Sequence, residues 1–373
     1  MLVALNNRKQ PIILRKKMNL DHLRKLHQQH FYCPQCYEPV ILKAGPIRIP
    51  HFAHKQKSNC DQLFSEGESV HHINGKLQLF EWLQSKHVQV TLESTIASLN
   101  QRPDLLAKVH DRQYAIEYQC SSISKDIFNK RTLGYKSQSI DPIWIPKQYS
   151  KKRQFPYQHI FLNSFYKMFL IRSSRVEYLC CYDSEKREFY YYHSPMYIQK
   201  NQYIVAIDTM PLMLQRLPLL QPSPIKKSLF LNMFERFRKK QYAILKTTFY
   251  YGQAKLQDLL WRCLYELGLN YENIPIFIGV PIRGSDQVCN STLEWQIALY
   301  YFSEIHGLKV YELTDQDVHY FLKWGGFSFE LQEGKEVIKR YIEICKKCKI
   351  DSVNSIIKQE KFMNLLYEQF VAF

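Results

Sequence analysis

The stretch RPDLLAKVHDRQYAIEYQC, residues 102–120, carries two acids, Asp104 and Glu117, inside runs that otherwise read as β-strand. A carboxylate in a buried strand is costly unless something pairs with it. If HDRQ (110–113) closes a hairpin, residues whose numbers sum to about 221 or 222 face each other, which sets Asp104 opposite Glu117 or nearly so. Directly opposed like charges destabilise a sheet, so the pair asks for a cation. Hard oxygen donors meeting at one point suit Mg²⁺ or Mn²⁺. Such an ion can polarise a phosphodiester and turn a water into a nucleophile. Gln119, two residues beyond Glu117, lies on the same strand face. The alternative is that Asp104 caps a turn after Pro103 and Glu117 pairs with Arg102 or Arg112.

A second group precedes that hairpin. Glu68, His72 and Lys76 follow one another at i, i+4 and i+8, so a helix would stack them on one face. Such a stripe is often only a solvated helix face. Packed against the hairpin, however, it would bring a carboxylate to the metal, an imidazole to a water or substrate, and an ammonium to a phosphate. A third group lies in FYCPQCYEPVILKAGPIRIPHFAHKQKSNC (31–60). Cys33 and Cys36 have the spacing of a zinc knuckle, and His51, His54 and Cys60 follow. Two cysteines, one of the two histidines and Cys60 could hold a structural Zn²⁺, which would keep so small a segment folded.

These residues need elements to position them. Val70, Ile73, Leu77, Phe80 and Leu83 recur at helical spacing. VQVTLESTIAS, RPDLLAKVH and QYAIEYQCS read as three meandering strands. SKDIFNKRTLGYKSQS opens with helix-start residues, and DPIWIP is a short strand. The order helix, three strands, helix, strand predicts a mixed sheet flanked by helices over 65–146. After about residue 150 the signal weakens. VEYLCCYDSEKREFYYYHSP reads as a hairpin turning at DSEKRE, QPSPIKKS as a linker, and the chain from Leu229 onward as mainly helical. Four segments are expected: an N-terminal knuckle segment (1–64), the α/β core (65–150), a hairpin-containing extension (151–228) and a helical C-terminal domain (229–373).

Composition bounds the rest. The 373 residues are 46% hydrophobic, enough for packed cores, and carry a formal net charge of +17. That charge suits a polyanion, nucleic acid or an anionic membrane surface. No apolar run is long enough for a membrane span, and the N-terminus makes a poor signal peptide, so the cytoplasm is the expected location. No phosphate-cradling glycine loop is present, so ATP or NAD is not indicated. CKKC (345–348) reads as an accidental spacing, and Cys180, Cys181, Cys263 and Cys289 as packing residues. RGSDQ (283–287) reads as a turn.

GESVHHINGK, RPD, IEYQCSSIS, RTLGY and IWIP, in that order, resemble the competence protein CoiA family over about residues 30–146, and more loosely beyond. That resemblance implies a nuclease-like domain of the PD-(D/E)xK superfamily, with the restriction-endonuclease fold, acting on DNA during natural transformation and recombination. Asp104 and Glu117 would be its metal-binding acids, joined by Glu68. The superfamily's usual lysine two residues after the second acid is Gln119 here, and Lys76 is the expected replacement. Arg102, Lys125, Lys130, Arg131 and Lys136 would form a basic surface for the DNA backbone, with Tyr135 and Trp144 nearby; Trp144 reads better as core. The expected activity is a Mg²⁺- or Mn²⁺-dependent DNA endonuclease. The rivals are a DNA-binding module without turnover and a factor that recruits a recombinase or other transformation protein through its helical half.

Overall fold

The structure is a computed structural model. It describes residues 1–371 apart from 16–17, 46–48, 56–68, 149–154, 174, 252–254, 256, 289–290 and 328–330. The chain opens with β1 (Val3–Leu5), β2 (Pro11–Ile13), α1 (Leu20–His27), β3 (Phe31–Tyr32), β4 (Pro39–Lys43) and β5 (His51–His54). These strands form one antiparallel sheet in the order β2-β1-β3-β4-β5.

The expected helix–strand pattern follows. Its elements are α2 (Val70–Ser85), β6 (Gln89–Leu92), β7 (Leu105–Val109), β8 (Arg112–Gln119), α3 (Lys125–Ser137) and β9 (Ile140–Pro146). Helix α3 starts where its sequence predicts, the Ser124 hydroxyl accepting from the Ile127 backbone N–H (3.3 Å). Helix α2, expected from its apolar spacing, is capped by Ser69, whose hydroxyl accepts from the His72 backbone N–H (3.2 Å). Strands β6, β7 and β8 run antiparallel, and α3 carries the chain over to β9, parallel to β8. Val109 pairs with Arg112 and Leu105 with Ile116, so facing residues sum to 221. His110 takes the left-handed conformation (φ 51°) that closes the turn.

A second antiparallel sheet comes next, built from β10 (Tyr157–Phe161), β11 (Ile171–Arg172), β12 (Glu177–Asp183), β13 (Glu188–Gln199) and β14 (Gln202–Pro211), with the short α4 (Ser164–Lys167) between β10 and β11. Its order is β10-β14-β13-β12-β11. The expected hairpin is its β12–β13 pair. This sheet explains the character of α2. Gly75 of α2 meets Tyr118 of β8, where an added Cβ would lie 2.1 Å from Cε1. Further along the same face, Trp82 packs against Phe189, and the Tyr182 hydroxyl donates to Gln78 (2.7 Å). Helix α2 therefore touches both sheets, and it is buried on most of its surface, as a helix apolar on several faces must be.

The remaining chain is helical: α5 (Lys227–Tyr250), α6 (Leu259–Glu266), α7 (Thr292–Ile305), α8 (Asp315–Trp324), α9 (Leu331–Cys348) and α10 (Gln359–Val371). Phe230, Met233 and Phe237 of α5 share a core with Met196, Ile198 and Ile204 of the second sheet. No helix among the described residues is long and apolar enough to cross a membrane.

Candidate active site and metal-binding knuckle

Asp104 stands one residue ahead of β7, and its carbonyl accepts from the Glu93 N–H (2.9 Å). The register puts it opposite Glu117, as the numbering of the hairpin predicts. Its carboxylate sits at a junction of β8 and α2. Oδ2 accepts from the Tyr118 N–H (2.9 Å) and lies 3.0 Å from His72 Nε2, while Oδ1 is 3.5 Å from Lys76 Nζ. One helical turn separates His72 from Lys76, so α2 delivers both to one carboxylate.

Lys76 is 1% exposed. An ammonium this deep persists as a charge only when paired. Glu93, just past β6, supplies the partner, with Oε1 2.5 Å from Lys76 Nζ. The same carboxylate accepts from the Leu2 and Val3 N–H groups (3.0 and 3.1 Å). Glu93 thus ties β1 to α2, and it does so from a left-handed backbone (φ 51°) that non-glycine residues seldom adopt. It was not among the candidates read from the sequence.

Glu117 turns towards α3. Arg131 and the Tyr135 hydroxyl both donate to its Oε1. Burial raises the proton affinity of the carboxyl, Arg131 opposes that, and Asp104 adds to it. Arg131 also donates to the Tyr135 oxygen (2.9 Å) and the Arg102 carbonyl (3.1 Å). The cation demanded by the opposed acids is therefore met from the protein, by Lys76 at Asp104 and by Arg131 at Glu117. Arg112, one of the two partners offered for Glu117 in the alternative, pairs with Asp141 instead (2.7 Å).

Three expectations about the surrounding surface need correction. Arg131 points inward because a buried carboxylate claims it. Arg102 is buried too, with Nη1 on the Met1 sulfur (3.4 Å). Tyr135 is fully buried. Lys125, Lys130 and Lys136 are exposed on α3. Trp144 packs on Phe128 and Phe169 and donates to the Thr132 hydroxyl (3.0 Å), a core role. Gln119 directs its amide to the Ser121 carbonyl (2.9 Å). Glu68 lies outside the described residues.

In the N-terminal sheet, Cys33, Cys36 and His54 bring their ligand atoms within 4.8 Å of one another. The turn between β3 and β4 is a knuckle. The Gln35 N–H points at Cys33 Sγ (3.4 Å), the Tyr37 N–H donates to the Cys33 carbonyl (3.0 Å), and Tyr37 is left-handed (φ 57°). Strand β5 pairs with β4 and sets His54 Nε2 3.3 Å from Cys36 Sγ. Burial lowers the His54 pKa, with Glu38 opposing and Arg102 assisting; a neutral imidazole is the form that binds metal. Of the two candidate histidines the cluster takes His54, while His51 Nδ1 meets the Ile49 carbonyl (2.9 Å). Two thiols and an imidazole could bind a metal such as zinc. Cys60, the expected fourth ligand, lies outside the described residues. Among the described residues no other group of three Cys, His, Asp or Glu converges in this way, and Cys345 of CKKC is buried beside the Tyr300 hydroxyl (3.6 Å).

Residues 15–62 match the family model of the competence protein CoiA N-terminal domain, and residues 68–224 that of the competence protein CoiA nuclease-like domain. The chain is 30% identical over 338 residues to the competence protein CoiA of Bacillus subtilis (strain 168), a match covering 87% of this chain and 88% of that protein. The chain belongs to the competence protein CoiA family. No solved structure matches it. The CoiA N-terminal match contains the Cys33–Cys36–His54 knuckle. The CoiA nuclease-like match spans α2 to β14 and so takes in the second sheet as well as the strands carrying Asp104 and Glu117.

Proposed function

We propose that this chain is a DNA endonuclease, dependent on Mg²⁺ or Mn²⁺, that processes DNA during natural transformation and recombination. The observation that carries the reading is the Asp104 carboxylate, held by the Tyr118 N–H at a strand end, with His72 and Lys76 delivered to it from one helix. The donor set suits a hard divalent cation: two carboxylates stand opposed on adjacent strands, near enough for Asp104 to raise the proton affinity of Glu117. Asp104 and Glu117 would hold the ion, with Glu68 as a third donor. Bound there, the ion would polarise the scissile phosphodiester and lower the pKa of a water.

The chain's own groups account for the remaining work. The Lys76 ammonium, fixed by Glu93, supplies the positive charge that Gln119 cannot. His72, 3.0 Å from Asp104, orients that carboxylate and can carry a proton at Nε2. Lys125, Lys130 and Lys136 offer ammonium groups to the DNA backbone. The reading without turnover has its own support: Arg131 and Tyr135 occupy Glu117, and Glu117 joins a metal only by exchanging Arg131 for it. In that case the fold would serve DNA binding or recruitment of a recombinase.

The test is a cleavage assay on single-stranded, duplex and branched DNA, with and without Mg²⁺ or Mn²⁺. Metal-dependent cutting of at least one form supports the endonuclease. Failure to cut any form in Mn²⁺ would hand the site to the binding reading.

A further inference from the structure

The C-terminal turns of α5 carry aromatic and basic residues on one face. Tyr242, Lys246, Phe249 and Tyr250 follow at i, i+4, i+7 and i+8, beside the stripe of Phe237, Gln241 and Leu245 that is buried. Phe249 and Tyr250 are 50% and 66% exposed, and Tyr251 is 78% exposed. A contiguous aromatic surface of this kind is rare on a protein without a partner for it.

The rings also hold one another in place. Tyr271, from the loop after α6, lies 5.2 Å from Phe249, 5.8 Å from Tyr242 and 6.2 Å from Tyr250, centroid to centroid. The Tyr271 and Tyr250 hydroxyls are 3.3 Å apart. Trp261 of α6 backs Phe249 at 6.2 Å. Rings fixed in this way lose little side-chain entropy when something stacks on them.

Charge names the occupant. Lys246 Nζ sits 5.8 Å over the Tyr250 ring, which puts a cation beside a stacking surface. An apolar protein partner would have to desolvate this cation. A nucleic-acid strand uses both kinds of group, its bases on the rings and a phosphate on the ammonium group. A duplex keeps its bases stacked inside, so the strand must be single.

We propose that the α5–α6 face is a stacking platform for single-stranded nucleic acid, distinct from the Asp104 site. It does not rest on cleavage there. The test is fluorescence anisotropy of full-length protein with an oligothymidylate of about 20 nucleotides and a duplex of equal length, in moderate salt without divalent metal. Oligouridylate in parallel distinguishes DNA from RNA as the strand. The double variant Phe249→Ala/Tyr250→Ala should weaken single-strand binding about ten-fold or more and leave duplex binding unchanged. Lys246→Gln should weaken it about two- to three-fold and flatten its salt dependence. Tyr250→Trp, which keeps a stacking face, should retain wild-type affinity, and oligonucleotide should quench Trp261. Unchanged single-strand affinity in the double variant would overturn the proposal and leave the face to a protein partner. An equal loss for the duplex would overturn it too.

Discussion

Arg131→Met probes the ion pair that decides what Glu117 does. The guanidinium is 12% exposed and the Glu117 side chain 6%. Methionine fills much of the space and removes the charge, leaving a buried carboxylate with the Tyr135 hydroxyl. Breaking a buried pair from one side costs about 3–5 kcal/mol. Protonation limits that cost. A carboxyl with an ordinary pKa of 4.5 takes up its proton at pH 7 for about 3 kcal/mol, and near pH 5 for about 1 kcal/mol. The variant should thus lose about 3 kcal/mol at pH 7 and much less near pH 5. The sign is that of a carboxyl whose folded pKa is raised: its stability is present below pH 4.5 and lost as pH rises. Adding Glu117→Gln should restore the pH 7 stability to within about 1 kcal/mol, because a neutral amide can share the Tyr135 hydroxyl. Urea unfolding at both pH values, followed by tryptophan fluorescence, measures this. A cost below about 1 kcal/mol at pH 7, or one that ignores pH, would refute the reasoning.

Three further outcomes are expected. Gly75→Ala drives a Cβ into the Tyr118 ring and should cost about 1–3 kcal/mol; an unchanged melting temperature would contradict the close packing of α2 on β8. Metal analysis of protein made without chelators should find about one zinc per chain, and Cys36→Ser should remove it; equal zinc in the variant would place the metal elsewhere. Burial, reinforced by Asp286 and opposed by Arg172, raises the Glu177 pKa to about 7. Its stabilising contribution is present below pH 4.5 and lost as pH rises through about 7. Glu177→Gln should therefore flatten the fall in urea midpoint between pH 5 and 7.5 by an amount worth about 2 kcal/mol.

The core was legible because its signals are local. One turn at 110–113 fixed the pairing sum and with it the opposition of Asp104 and Glu117; apolar spacing marked α2, and the start signal at Ser124 marked α3. The Cys-x-x-Cys knuckle needed only a hairpin to bring His54 to it. Glu93 was not legible. Its neighbours read as the end of a strand, and its partners are Lys76, 17 residues away, and the Leu2 and Val3 amides, 91 and 90 away. Arg131 and Tyr135 gave one faint signal, their i, i+4 spacing on α3, but a cation on a short amphipathic helix reads first as surface. Of the second sheet only the β12–β13 hairpin was legible, from its turn at DSEKRE. Strand β14 is buried without a break over Tyr203–Ile207, so it lacks the alternation that marks a strand. The opposed acids did demand a cation, and chain spacing alone could not tell a metal from the lysine and arginine that three-dimensional packing brings.

The most direct test of the central claim is cleavage by Asp104→Asn beside wild type in Mn²⁺, with DNA binding measured on the same preparations. The amide keeps the shape of the side chain and can still accept from the Tyr118 N–H, but it loses the charge that would hold a metal. Cleavage should fall roughly a hundred-fold or more, while binding stays level or tightens because one negative charge near the phosphates is gone. A variant that cuts as fast as wild type would contradict the assignment of Asp104.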